Sequence, residues 1–256
     1  MNFKTIINWK LFFILLLASA FSSLLVLPYS LALAPSPVAI TLLLVLLSFA
    51  QNLVLFAIVT FFGLLLSKPV GLGLPVLESC LEGKNQAGAL KAILPSSVIL
   101  GAVSGILIIL LDIPFQAFSA EIQQADVNIA WWKGFLASFY GGIAEEVLCR
   151  LFLVTLFVWI GFKIKKTEDG VPAKAGVWIS IILAAVLFGL GHLPATAALM
   201  PITFIVVVRA IVLNSIAGIV CGWLFWKKGL ESAMIAHFSA DIVLHVIPPL
   251  VGLLFA

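Results

Sequence analysis

"GGIAEEVLCR", residues 141–150, sets two adjacent glutamates and an arginine inside a run that is otherwise apolar and helical in pattern. The surrounding chain places this run in a bilayer. Of 256 residues, 63% are hydrophobic and only 10% charged, and the mean hydropathy is +1.26. Those values lie outside the range of an ordinary soluble domain. About 20 helical residues cross a hydrocarbon core, and seven apolar runs serve, at 11–34, 39–66, 92–111, 131–162, 175–193, 200–226 and 230–254. The runs lack the short alternating pattern of a membrane β-barrel. The expected fold is therefore all-α, a polytopic bundle of transmembrane helices.

A net charge of +3, dispersed along the chain, argues against a nucleic-acid partner, and no interleaving of aromatic and basic residues points to one. Cys80, Cys149 and Cys221 stand in no paired spacing, which indicates neither a disulfide framework nor a thiolate zinc site. Lys4 and Lys10 before the first run, with an Ala32-x-Ala34 ending, also fit a cleavable signal peptide. The apolar stretch is longer than the roughly 7–15 residues of a signal core, and Pro35 sits where the residue after the cut would be. An anchor is the expected reading.

Loop charges orient the bundle. Lys4 and Lys10 precede the first run, Lys68, Lys84 and Lys91 flank the second loop, Lys163, Lys165, Lys166 and Lys174 occupy the fourth, and Lys227 and Lys228 the sixth. The first loop, the segment from Asp112 to Asp126, and "LPATAALMP" contain no lysine or arginine. Basic loops stay in the cytoplasm, so a multi-pass protein is expected with its amino terminus cytoplasmic and its carboxyl terminus outside. In a bacterium it would lie in the plasma membrane.

Ionisable side chains inside a bilayer are costly, and each is a functional hypothesis until a partner is named. Glu146 and Arg150 are four apart with the acid on the amino-terminal side, a favourable helical pair. Glu145 is turned about 100 degrees from Glu146 by the helical step, so one acid lacks an obvious partner and is the candidate proton acceptor. His237, Asp241 and His245 form one stripe along the last run. His237 with Asp241 reads either as a carboxylate-oriented imidazole or as two metal ligands. His192, in "FGLGHLP", follows Phe188 by one turn, and Gly189 and Gly191 permit close approach of another helix. Bland readings stand beside these: His245 as an interfacial residue, and Arg209 snorkelling or paired with a buried acid such as Asp241.

These residues carry a resemblance to the CPBP family of intramembrane proteases, the CAAX prenyl endopeptidase and bacteriocin-processing group. E-E-x-x-x-R stands as "EEVLCR" at 145–150, F-x-x-x-H as "FGLGH" at 188–192, and H-x-x-x-N/D as "HFSAD" at 237–241. The resemblance spans roughly residues 130–250 and divides one membrane domain into two parts: residues 1–130, with the amino-terminal spans and a cytoplasmic loop, and residues 131–256, the catalytic helix core. It implies an endopeptidase acting on a membrane-associated substrate, such as a prenylated CaaX-type protein, with membrane lipid around it. It also implies that Glu145, His192, His237 and Asp241 are catalytic and that Glu146, Arg150 and Phe188 support them.

Two mechanisms stay open. In one, His192, His237 and Asp241 hold a divalent metal, with zinc expected from the imidazole and carboxylate donors. In the other, Glu145 and His192 activate water without metal, while His237 and an asparagine donate to the oxyanion. Here that last position is Asp241, and an ionised aspartate has no hydrogen to donate, which favours the metal-assisted scheme. Buried Glu, His and Asp also build proton relays, so a proton-coupled transporter is the alternative from another class. A catalytically inactive immunity or scaffold member of the family is the second alternative.

Overall fold

The structure is a computed structural model that describes residues 7–34, 39–119, 122, 129–165 and 167–254. Lys4, Pro35, Asp126 and Lys166, which enter the expectations above, lie outside these residues. Seven helices among the described residues are long and apolar enough to cross a membrane: α1 (Trp9–Ala32), α2 (Leu42–Val70), α3 (Ala87–Phe118), α4 (Trp131–Ile164), α5 (Lys174–Ala197), α6 (Phe204–Lys228) and α7 (Leu230–Leu253). The all-α bundle expected from the hydropathy is what the chain forms.

Polar side chains mark where helices start. Asn8 and Thr41 accept from the backbone N–H groups of Leu11 and Leu44 and cap α1 and α2, satisfying donors that the helix itself leaves free. Between α6 and α7 the chain reverses through Gly229 alone, at φ 95°. A side chain there would meet both the left-handed backbone penalty and the ring of Pro75.

Helix α4 lies at the centre, against α1 and α2 on one flank and α5 and α7 on the other, while α3 packs on α6 and α7. Lipid tails are as apolar as leucine, so the helices associate through close packing of small residues and through hydrogen bonds. A methyl group on Gly189 would stand 2.7 Å from the Ile211 Cα, and one on Gly101 would strike the Ala236 carbonyl. Ser97 and Ser232 share a 2.7 Å hydrogen bond between α3 and α7. Large apolar side chains such as Leu43, Leu47, Ile99, Leu110 and Ile182 are exposed around the rim, where they face lipid.

Two features depart from the sequence expectations. Helix α3 extends past both ends of the 92–111 run, carrying Pro95 and Pro114 in its interior, so Asp112 lies within a helix and not in a loop. The hydropathy drops at Asp112, yet the helix continues because that acid is satisfied by side chains, from Gln116 one turn on and from Arg209. Helix α4 also leaves α-geometry for π-geometry over Tyr140–Glu145 and Val147–Val154, as α7 does over Ile242–Val246.

Candidate active site

The acidic pair sits where the two π stretches of α4 meet, Glu145 ending the first and Glu146 preceding the second, and such turns concentrate at functional sites. Glu145 and Glu146 both reach His237 on α7. Glu146 Oε1 is 2.7 Å from His237 Nδ1, and Glu145 Oε2 is 3.6 Å from Nε2. The two acids, expected to diverge by a full helical step, thus flank one imidazole. They still differ in environment: the Glu146 side chain is wholly buried, while that of Glu145 is 21% exposed and lines a cavity.

Glu146 is also held by Arg150, whose Nη1 lies 3.0 Å from Oε1 in an i,i+4 pair with both side chains buried. Arg150 Nη2 donates to the Gly218 carbonyl of α6 at 3.3 Å, and its guanidinium lies over the Phe188 ring, 5.2 Å from the centroid. One buried cation therefore ties α4 to α5 and α6. With Glu146 ionised opposite Arg150, Nδ1 of His237 is the donor of their hydrogen bond, which leaves Nε2 as the basic nitrogen.

His192 reaches the same arrangement by a different local device. The helix tightens at its position, and its backbone N–H donates to the Gly189 carbonyl at 3.2 Å. The Phe188 carbonyl instead accepts from His192 Nδ1 at 2.8 Å. A carbonyl only accepts, so Nδ1 carries the hydrogen and Nε2 is left unprotonated in the neutral ring. Phe188 supports both histidines, with its ring edge-on to His192 at 4.6 Å and to His237 at 5.6 Å.

Asp241, one turn beyond His237, has Oδ1 3.7 Å from Nε2. A side chain on Gly141 would collide with Asp241 Oδ2 and stand 3.2 Å from His237 Nε2, so α4 approaches α7 here only because residue 141 has no Cβ. Glu145, His192, His237 and Asp241 all line one cavity of about 480 Å³.

The expected metal donors fit a cation in one respect. Glu145 Oε2 and Asp241 Oδ1 approach His237 Nε2 at 3.6 and 3.7 Å, and the Nδ1 atoms of both histidines are occupied by an oxygen acceptor, the outer-shell pattern that orients metal-binding imidazoles. The donor group whose ligand atoms lie within 4.8 Å of one another among the described residues is Glu146, Cys221 and His237, and it shares only His237 with the expected set of His192, His237 and Asp241. It includes Cys221, which its spacing in the sequence gave no reason to select, and it lies beside Arg150, which already supplies a positive charge to Glu146.

Other expectations change. Arg209 does not pair with Asp241; its Nε and Nη2 donate to the two oxygens of Asp112 at 2.5 and 2.7 Å, the forked geometry that suits guanidinium and carboxylate. His245, expected at the interface, shares a 3.1 Å hydrogen bond with the Tyr29 hydroxyl and lines the same cavity. Gly191 has open space where its side chain would be, unlike Gly189. Sequence reasoning passed over Tyr29, Tyr140 and Asn214, which also line the cavity. Tyr140 lies five residues before Glu145, the spacing that a π turn brings onto one face, but nothing in the sequence announced the π turn.

Residues 127–243 match the family described as type II CAAX prenyl endopeptidase, Rce1-like. The match covers somewhat less than half of the chain and supports the CPBP family of intramembrane proteases, the family that the three motifs resemble. The matched segment contains all three motifs, whereas Tyr29 and Asp112 bring α1 and α3 to the cavity from outside it. Neither the curated proteins nor the solved structures give a significant match to the chain.

Proposed function

We propose that this CPBP member hydrolyses a peptide bond of a membrane-anchored substrate, with Glu145 as the base that activates water. The observation that carries the reading is the convergence of Glu145, Asp241 and the bare face of His237 on the cavity that His192 also lines. Water held between Glu145 and His192 gives a proton to one of them as its oxygen attacks the peptide carbonyl. The carbonyl oxygen becomes an oxyanion, the carbon–nitrogen bond breaks, and the leaving amine takes the proton.

His237 stays in one orientation because Glu146 holds Nδ1 and Arg150 holds Glu146. For the oxyanion, hydrogen-bond donors on the wall are the Tyr140 hydroxyl and the Asn214 amide, one of whose hydrogens is used on the Ala210 carbonyl. His192, His237 and Asp241 would hold a divalent metal, zinc by donor type, and when bound it would polarise the carbonyl and lower the cost of the oxyanion.

The test is cleavage of a library of membrane-anchored reporters by the purified protein, with and without a chelator. Glu145→Ala and His192→Ala are each expected to remove turnover while leaving the fold intact, a loss on the order of 10²–10⁴-fold for a proton-transfer residue. Normal turnover by Glu145→Ala would remove the assignment of the base. Loss of activity on chelation, restored by zinc, supports the metal-assisted scheme, and indifference to the chelator supports the metal-free one.

A further inference from the structure

The cavity is open toward one end of the bundle and sealed toward the other. On the sealed side, Glu146, Val147, Arg150 and Leu151 of α4 and Ala233 and Ala236 of α7 are all at most 1% exposed. The open side is walled by residues near the opposite helix ends: Tyr29 of α1 and Leu33 just past its end, Asp112 of α3, Ala195 of α5 and Arg209 of α6.

The lysines separate along the same axis. Lys68, Lys84, Lys91, Lys163, Lys165, Lys174, Lys227 and Lys228 belong to the sealed end, in or beside the loops that join α2 to α3, α4 to α5 and α6 to α7. At the open end the described cations are Lys133, two residues into α4, and Arg209, which Asp112 neutralises. Basic loops are retained in the cytoplasm, which puts the sealed end inside and the mouth outside.

Resting on the protease reading above, we infer that the site is loaded from the extracytoplasmic face, and that its substrate is an uncharged, extended stretch at the outer end of a membrane anchor. The mouth suits such a stretch. Its ion pair carries no net charge, and Val26, Leu33, Ile108 and Ile109 add apolar surface to that wall beside the uncharged Tyr29 and Thr196. A peptide already across the membrane reaches His192 and Glu145 without passing the packed core, whereas a segment arriving from the cytoplasm meets Leu224, Phe225 and Leu230, each at most 1% exposed.

Cysteine accessibility tests the side directly, and it needs no catalysis. Ala195→Cys and Leu33→Cys place a thiol at the mouth, and the native Cys80, exposed in the loop between α2 and α3, reports the opposite face. In sealed right-side-out vesicles, a membrane-impermeant maleimide is expected to modify both introduced thiols and to spare Cys80, which reacts only after inversion or permeabilisation. Modification of Ala195→Cys and Leu33→Cys only under conditions that also modify Cys80 overturns the inference and leaves the chemistry of Glu145 standing. Two single-anchor reporters, identical except that the cleavable stretch lies at the outer or the inner end, add the substrate. Cleavage is expected at the outer end and lost at the inner end, and the reverse preference overturns the inference. Outward labelling with neither reporter cut by a protein that cuts no other anchored peptide separates the two claims: the side holds and the protease reading fails.

Discussion

Glu146 and Glu145 are neighbours in sequence with separate duties. Glu146 and Arg150 form a buried pair, and removing one partner of such a pair strands the other charge at a cost of about 3–5 kcal/mol. Glu146→Ala is therefore expected to lower the melting temperature in detergent sharply, whereas Glu145→Ala, at a partly exposed cavity wall, is expected to leave it near wild type. Equal destabilisation by both would contradict the division of labour. Gly141→Ala is a subtler probe: its methyl collides with Asp241, so turnover should fall more than expression does. The residue types of this site were legible, because an arginine four positions after an acid names its own partner. The pairing of Glu146 with His237, 91 positions away, was not legible, since no local spacing encodes it.

At the scale of elements, the informative units are the π turns of α4 and the tightened end of α5. They bring two consecutive acids to one imidazole and turn the Phe188 carbonyl toward the His192 ring. Gly189→Leu should force α5 away from α6, where its backbone already approaches Ile211. Overpacking of this kind costs about 1–3 kcal/mol, and turnover should drop with it because His192 sits three residues on. Gly191→Leu, with open space before it, is expected to change melting little; comparing the two melts checks the packing account. The hydrophobic runs marked every span, yet they shortened α3 at both ends, because hydropathy registers Asp112 as a break while Arg209 satisfies it. Helical periodicity likewise assumed α-geometry throughout α4, and only tertiary packing against α7 shows the wider turns.

For the molecule as a whole, the seven spans and the segregation of lysines were readable from composition and loop charge alone. The cavity was not, since α1 and α3 contribute Tyr29 and Asp112 from outside the three motifs. The Asp112 and Arg209 pair joins α3 to α6 at the mouth, and Asp112→Ala is expected to destabilise the protein through its unpaired arginine; restoration of the melting temperature by the double change with Arg209→Leu checks that origin. A transporter built from the same buried acids and histidines would move protons and cut no bond. The most direct measurement is therefore mass spectrometry of an anchored reporter incubated with the purified protein in heavy-oxygen water. The account predicts a new carboxyl terminus carrying one heavy oxygen with the wild type and none with Glu145→Ala. Equal incorporation by both proteins, or no new terminus from any anchored peptide, would contradict it.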